Sequence, residues 1–145
     1  MDLMNPLDIV FPELVRIGYA VTSPPTLEYN CIGWAAGEDD RWWWPDAAGV
    51  SHWPAGAPRE ETIPAFAAAF ATIGFAPSTN PNLEPDVIKI AIYARSGIPT
   101  HAARQLANGT WTSKLGESED IEHTLAGLVG SVYGDVAMIL AKPSP

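Results

Sequence analysis

The chain has 145 residues, 47% of them hydrophobic, and a formal net charge of −9 with a pI near 4.5. That length is one domain with enough apolar side chain for a single core. The acidic surface repels phosphate backbones, which argues against a nucleic-acid binder, and a single cysteine excludes an intramolecular disulfide and suits a reducing compartment.

The N-terminal run Met1-Asp2-Leu3-Met4-Asn5-Pro6 has no basic cluster and no long apolar stretch. Neither a secretory signal nor a membrane anchor is expected, so the cytoplasm is the expected compartment, with signal-independent export left open. Met1 to Pro25 reads as an irregular lead-in holding a short helix over Pro12 to Ile17, with proline at an early helical position. Ser23-Pro24-Pro25 stops regular structure. Asn30 is a good N-cap, so a short helix runs from Cys31 to about Gly37. Glu38 to Arg59 reads as a long loop carrying Trp42, Trp43, Trp44 and Trp53. Four indoles exceed what an open loop can satisfy, so some are expected over the core and others along a groove.

Thr62 caps an amphipathic helix over Ile63 to Ile73, with Ile63, Phe66, Phe70 and Ile73 at helical spacing and Gly74 at its end. Asn80 to Pro85 is a turn region. Val87 to Ala94 is rich in β-branched residues and reads as a strand. Thr100 to Leu106 and Thr110 to Leu115 read as two more, joined by the hairpin signal Ala107-Asn108-Gly109. Ser118 caps an expected helix through about Val129, with Glu119 and Asp120 in its first turn and Ile121, Leu125 and Leu128 as its buried stripe. Val132 to Lys142 reads as a last strand and Pro143-Ser144-Pro145 as a tail. The order predicts an α+β domain over 1–145, with the cysteine helix packed on a small antiparallel sheet.

Cys31 carries the chemistry in this pattern. At the first position of a helix its sulfur meets unpaired N–H groups and the positive end of the dipole, which favours a thiolate. His101 lies on a later strand, and cysteine on an early helix with histidine on a later strand is a hydrolase skeleton. The alternative is a core thiol, since free cysteine is among the most buried residue types. On the expected helix His123 points away from the stripe, half-exposed beside Glu119, and His52 reads as a solvated loop residue. No Cys-x-x-Cys, His-x-x-His or His-Glu-x-x-His spacing exists, so no metal is expected, and no phosphate loop or dinucleotide fingerprint points to a cofactor. Lys114 reads as structural, and Arg104, Glu60 and Glu61 as surface charges.

Several segments together carry a resemblance. They are Asn30-Cys31-Ile32-Gly33-Trp34-Ala35, Lys89-Ile90-Ala91-Ile92-Tyr93-Ala94, Thr100-His101-Ala102-Ala103-Arg104-Gln105, Trp111-Thr112-Ser113-Lys114-Leu115-Gly116, Asp120-Ile121-Glu122-His123 and Tyr133-Gly134. The set resembles a small bacterial domain family with the layout of papain-like and NlpC/P60-like cysteine peptidases and amidases, over roughly Tyr29 to Pro143. The resemblance implies a papain-like fold, Cys31 as nucleophile and His101 as general base. It implies a third polar residue on the next strand, where Ser113 is the candidate. The usual residue there is His, Asn, Gln or Asp, so serine is a departure. A second departure is Pro25, which stands where papain-like enzymes carry an oxyanion glutamine. The Cys31 backbone N–H and the Asn30 side chain are the remaining oxyanion donors. Asn30, Trp34, Trp43 and Trp44 are the expected substrate-binding residues. The expected substrate is an amide bond in a peptide or peptidoglycan fragment, with no cofactor, nucleic acid or membrane. The other reading is a catalytically silent papain-like module, such as an inhibitor or immunity-type partner of another protein. An acidic, tryptophan-rich surface suits that role against basic partners.

Overall fold

The structure, a computed structural model, describes residues 9–115 and 117–144. The readings of Met1 to Pro6, of Gly116 and of the final Pro145 lie outside the described residues. In chain order the elements are α1 (Pro12–Ile17), β1 (Tyr19–Ser23), α2 (Cys31–Ala35), α3 (Ile63–Ala71), β2 (Ala76–Ser78), β3 (Val87–Arg95), β4 (Ile98–Gln105), β5 (Trp111–Lys114), β6 (Asp120–His123), a 3₁₀ turn (Leu125–Leu128) and β7 (Asp135–Pro143). The strands form one antiparallel sheet of seven, in the order β1-β6-β5-β4-β3-β7-β2.

The local signals act where they stand. Asn30 Oδ1 accepts from Gly33 N at the start of α2, and Thr62 Oγ1 accepts from Ala65 N at the start of α3. The β4–β5 hairpin closes with Leu106 N on Thr110 O and Gly109 at φ 90°, a conformation that glycine adopts without strain. The faces of the sheet alternate as the pleat requires. Ile90, Ile92 and Ala102 face α2, α3 and the tryptophan segment, in a core that includes Ile32, Trp43, Trp53, Phe66 and Phe70. Ala91, Tyr93 and Ala103 face the other way, toward Phe11 and Leu14 of the α1 side and Leu128 of the 3₁₀ turn.

Three expectations are corrected. The sheet has seven strands, because the short edge strands β1 and β2 add to it. The expected helix from Ser118 to Val129 is instead strand β6 followed by the 3₁₀ turn. Its residues pair on both sides, Tyr19↔His123 with β1 and Ser113↔Ile121 with β5, and this tertiary pairing overrides the local capping signal. Ile121 and Leu128 are still buried, because the spacing that marks a helical stripe is also met by a strand leading into a tight turn. Finally, β7 begins at Asp135 rather than Val132. A loop bridged by Gly130↔Gly134 precedes it, with both glycines at positive φ.

Candidate functional site

Cys31 opens α2, which packs on β4 and β5. The β4–β5 ladder consists of Arg104↔Thr112 and Gln105↔Trp111, so at Ala102 the strands have parted. There the Cys31 sulfur meets the backbone N–H of Ala102 as well as those of Cys31 and Ile32. Burial outweighs these contacts and the nearby Lys114 ammonium, and pushes the thiol up to about 11. Cys31 is therefore a thiol at neutral pH, and the thiolate expected from the helix terminus is corrected. A five-residue helix offers a weak dipole, and Cys31 is only 8% exposed.

His101, one residue before Ala102, is fully buried on the opposite side of β4. It belongs to a chain of side chains across three adjacent strands. His101 Nε2 lies 2.9 Å from Ser113 Oγ, and Ser113 Oγ lies 2.7 Å from His123 Nε2. His123 Nδ1 lies 2.7 Å from the Thr124 carbonyl oxygen. A carbonyl only accepts, so His123 carries its proton on Nδ1. Burial holds its pKa down to about 4, so at neutral pH its Nε2 is a bare acceptor. Ser113 therefore donates its O–H to His123, and its oxygen accepts N–H from His101 Nε2. His101 is left with a lone pair on Nδ1, and that nitrogen has no hydrogen-bond partner, the Cys31 thiol included. Burial, and secondarily the neighbouring His123, hold the His101 pKa well below the usual imidazole range, so the ring is a neutral base.

Tyr133 caps this arrangement. Its ring stacks on His101 with centroids 4.1 Å apart and 13° between planes, and Tyr93 meets His101 edge-on at 5.5 Å. Burial first, and then the charge that a Cys31 thiolate would carry, push the Tyr133 hydroxyl up. On the α2 side, the Lys114 ammonium sits 5.5 Å from the Tyr29 ring centroid and donates to the Ser118 carbonyl. Tyr29 donates its O–H to Asp120 Oδ2 at 2.6 Å, while Asp120 Oδ1 is buried without a hydrogen bond.

The structure brings Ser113 to His101 and places Cys31 at the neighbouring backbone. It assigns the other expected residues elsewhere. The Asn30 amide is spent, because besides capping α2 its Oδ1 accepts from Trp43 N and its Nδ2 donates to Trp43 O, both buried. It is not a free oxyanion donor, and the Cys31 N–H remains. Trp43 is 2% exposed and stacks on Phe70, and Trp44 meets Phe66 edge-on, so both pack against α3 rather than walling a groove. Trp34 is half-buried, stacked on Tyr29, and donates to Thr112 Oγ1 at 3.0 Å. Arg104 lies over the Trp34 ring and donates to the Trp34 carbonyl, so it is a half-buried packing residue rather than a surface charge. His123, expected to be half-exposed on a helix, is 2% exposed and bonded to Ser113. Its signal was the alternation Asp120-Ile121-Glu122-His123, which reads as a strand. Among the described residues no group of three or more His, Cys, Asp or Glu is placed to hold a metal ion. No described helix is long and apolar enough to cross a membrane. The surface clefts by Leu83 to Ile88, Leu14 to Val21 and Arg41 to His52 are lined by neither Cys31 nor His101.

These features define a small mixed α/β domain in which one antiparallel sheet separates two cores, with a cysteine at a helix start and a bonded histidine–serine–histidine chain on the strands. The chain belongs to a domain family of unknown function, DUF7689, whose model matches residues 20–141. No curated protein and no solved structure matches it.

Proposed function

We propose that this protein is a cysteine hydrolase of papain-like layout, cleaving an amide bond in a peptide or peptidoglycan fragment with Cys31 as nucleophile and His101 as base. The observation that supports this reading is the bare, unpartnered Nδ1 of His101 on the strand position next to the N–H that meets the Cys31 sulfur. Both groups are neutral at rest and lie on opposite sides of β4, so this reading requires the His101 ring to turn toward the sulfur where β4 and β5 part. The thiol proton then passes to Nδ1 as the sulfur attacks the carbonyl carbon. The resulting imidazolium is held by Ser113 Oγ on Nε2. The Cys31 N–H donates to the developing oxyanion. His101 returns the proton to the leaving amine, and water then hydrolyses the thioester. Ser113 gives the imidazole an orienting acceptor without a negative charge, which is weaker support than a carboxylate.

A second reading, a catalytically silent module that binds another protein, is favoured by burial. Cys31 is 8% exposed and His101 is fully covered, with Tyr133 lying on its ring. Amide release from a panel of peptides and peptidoglycan fragments separates the two, with Cys31→Ala as blank. The hydrolase reading expects turnover in the wild type, and none in Cys31→Ala or His101→Ala. Equal inertness of wild type and Cys31→Ala across the panel, with a partner bound equally by both, supports the binding module.

A further inference from the structure

We infer that His123 is the positioning residue that fixes the tautomer of His101, acting through Ser113. Ser113 cannot fix it alone, because a hydroxyl can donate to either of the two imidazole nitrogens it touches, 2.9 Å and 2.7 Å away. The direction of the chain is decided at its far end. The Thr124 carbonyl can only accept, which places the His123 proton on Nδ1 and leaves Nε2 to take the Ser113 O–H. His101, Ser113 and His123 are 0%, 0% and 2% exposed, so solvent does not compete for these groups, and each must be satisfied by its protein neighbours. The three lie on β4, β5 and β6, on the face shared with Tyr93 and Ile121, so the sheet itself holds the spacing.

The consequence is specific. Without His123, the buried Ser113 hydroxyl has one imidazole left to donate to, the Nε2 of His101. That bond requires the His101 proton to move to Nδ1. The lone pair that faces no partner in the native protein would then disappear, and with it the base of the proposed hydrolase. A merely structural His123 would cost stability and leave the His101 tautomer unchanged.

Nitrogen-15 NMR of histidine-labelled protein, correlating ring nitrogens with ring carbon-bound protons, reads each tautomer directly at neutral pH. The wild type is expected to carry the His101 proton on Nε2 and the His123 proton on Nδ1. His123→Leu is expected to move the His101 proton to Nδ1. His123→Gln is expected to keep it on Nε2, because the glutamine Oε1 can take the Ser113 O–H while its amide donates to Thr124. A wild-type spectrum with the proton of His101 on Nδ1 overturns the inference whether or not any variant folds. A folded His123→Leu with His101 unchanged overturns it as well. The effect on activity rests on the hydrolase reading. There His123→Leu is expected to lose on the order of 10³–10⁴-fold in kcat/KM, the scale of a histidine left in the wrong tautomer, with His123→Gln near wild type. A tautomer shift without turnover in any form, wild type included, sinks the hydrolase reading and leaves the positioning role standing. Retained turnover in a His123→Leu whose tautomer has shifted separates the two the other way, since it removes Nδ1 as the working base.

Discussion

Mild acid should destabilise this fold through His123. In the folded chain burial holds its pKa down to about 4, whereas an unfolded imidazole titrates near its ordinary value of about 6.5. Between these values the unfolded chain binds a proton that the folded chain refuses. Stability is therefore complete above about pH 6.5 and falls as the pH drops toward 4. The slope for one extra proton is about 1.4 kcal/mol per pH unit, so His123 alone removes about 2 kcal/mol between pH 7.5 and pH 5. His101, also held well below its ordinary range by burial, acts in the same direction. The clean comparison is wild type against His123→Gln in urea at pH 7.5 and pH 5. Glutamine does not titrate, so the variant should lose about 2 kcal/mol less than the wild type over that interval. The carboxylates of Glu38, Asp46 and Glu84, whose pKa values are lowered, respond mainly below this window and equally in both proteins. Parallel loss in the two proteins would mean that His123 is solvated when folded and titrates as it does in the unfolded chain.

Phe66→Ala and Phe70→Ala each remove a fully buried ring from the face of α3 that meets Trp43, Trp44 and Trp53, and each should cost about 3–5 kcal/mol in denaturant unfolding. Under about 1 kcal/mol for both would place that face in solvent. Lys89 is fully buried, and its ammonium donates to the carbonyls of Asn80 and Asn82 and to Glu84 Oε1, each at 2.6 Å. Lys89→Met should cost at least about 1.5–3 kcal/mol in the same assay, the scale of a hydrogen bond to a charged group, and no loss would mean that these contacts do not form in solution.

Local chemistry made α1, α2 and α3 legible, through Pro12, the Asn30 cap and the Thr62 cap. The β-branched run of β3 and the Asn108-Gly109 hairpin did the same for the sheet centre. The edges were not legible. In β2, Ala76-Pro77-Ser78 has no strand pattern of its own and exists by pairing with β7, on an edge where proline is tolerated. In β1, Tyr19 finds its partner His123 far along the chain, which no local window reports. β6 was misread because Ser118, Glu119 and Asp120 imitate a helix start, whereas Asp120 is a strand residue whose carboxylate accepts the Tyr29 hydroxyl. That misreading hid His123. On a helix it points outward, but at the strand period of two it falls on the same face as Ile121 and reaches Ser113. Cys31 at a helix start was legible, and of the two readings left open for it, thiolate or core thiol, the structure bears out the buried thiol, because burial decides its protonation.

On the proposed hydrolase reading, Cys31 reacts and His101 makes it react. Intact-protein mass spectrometry after exposure of the native protein to a panel of peptidyl chloromethyl ketones tests it most directly, comparing wild type with Cys31→Ala and His101→Gln. A Cys31–His101 pair should give one adduct on wild type, located at Cys31, with none on Cys31→Ala and a rate reduced by orders of magnitude in His101→Gln, because nucleophile and base act as a unit. A wild type labelled only after denaturation, or a native His101→Gln labelled at the wild-type rate, would contradict it.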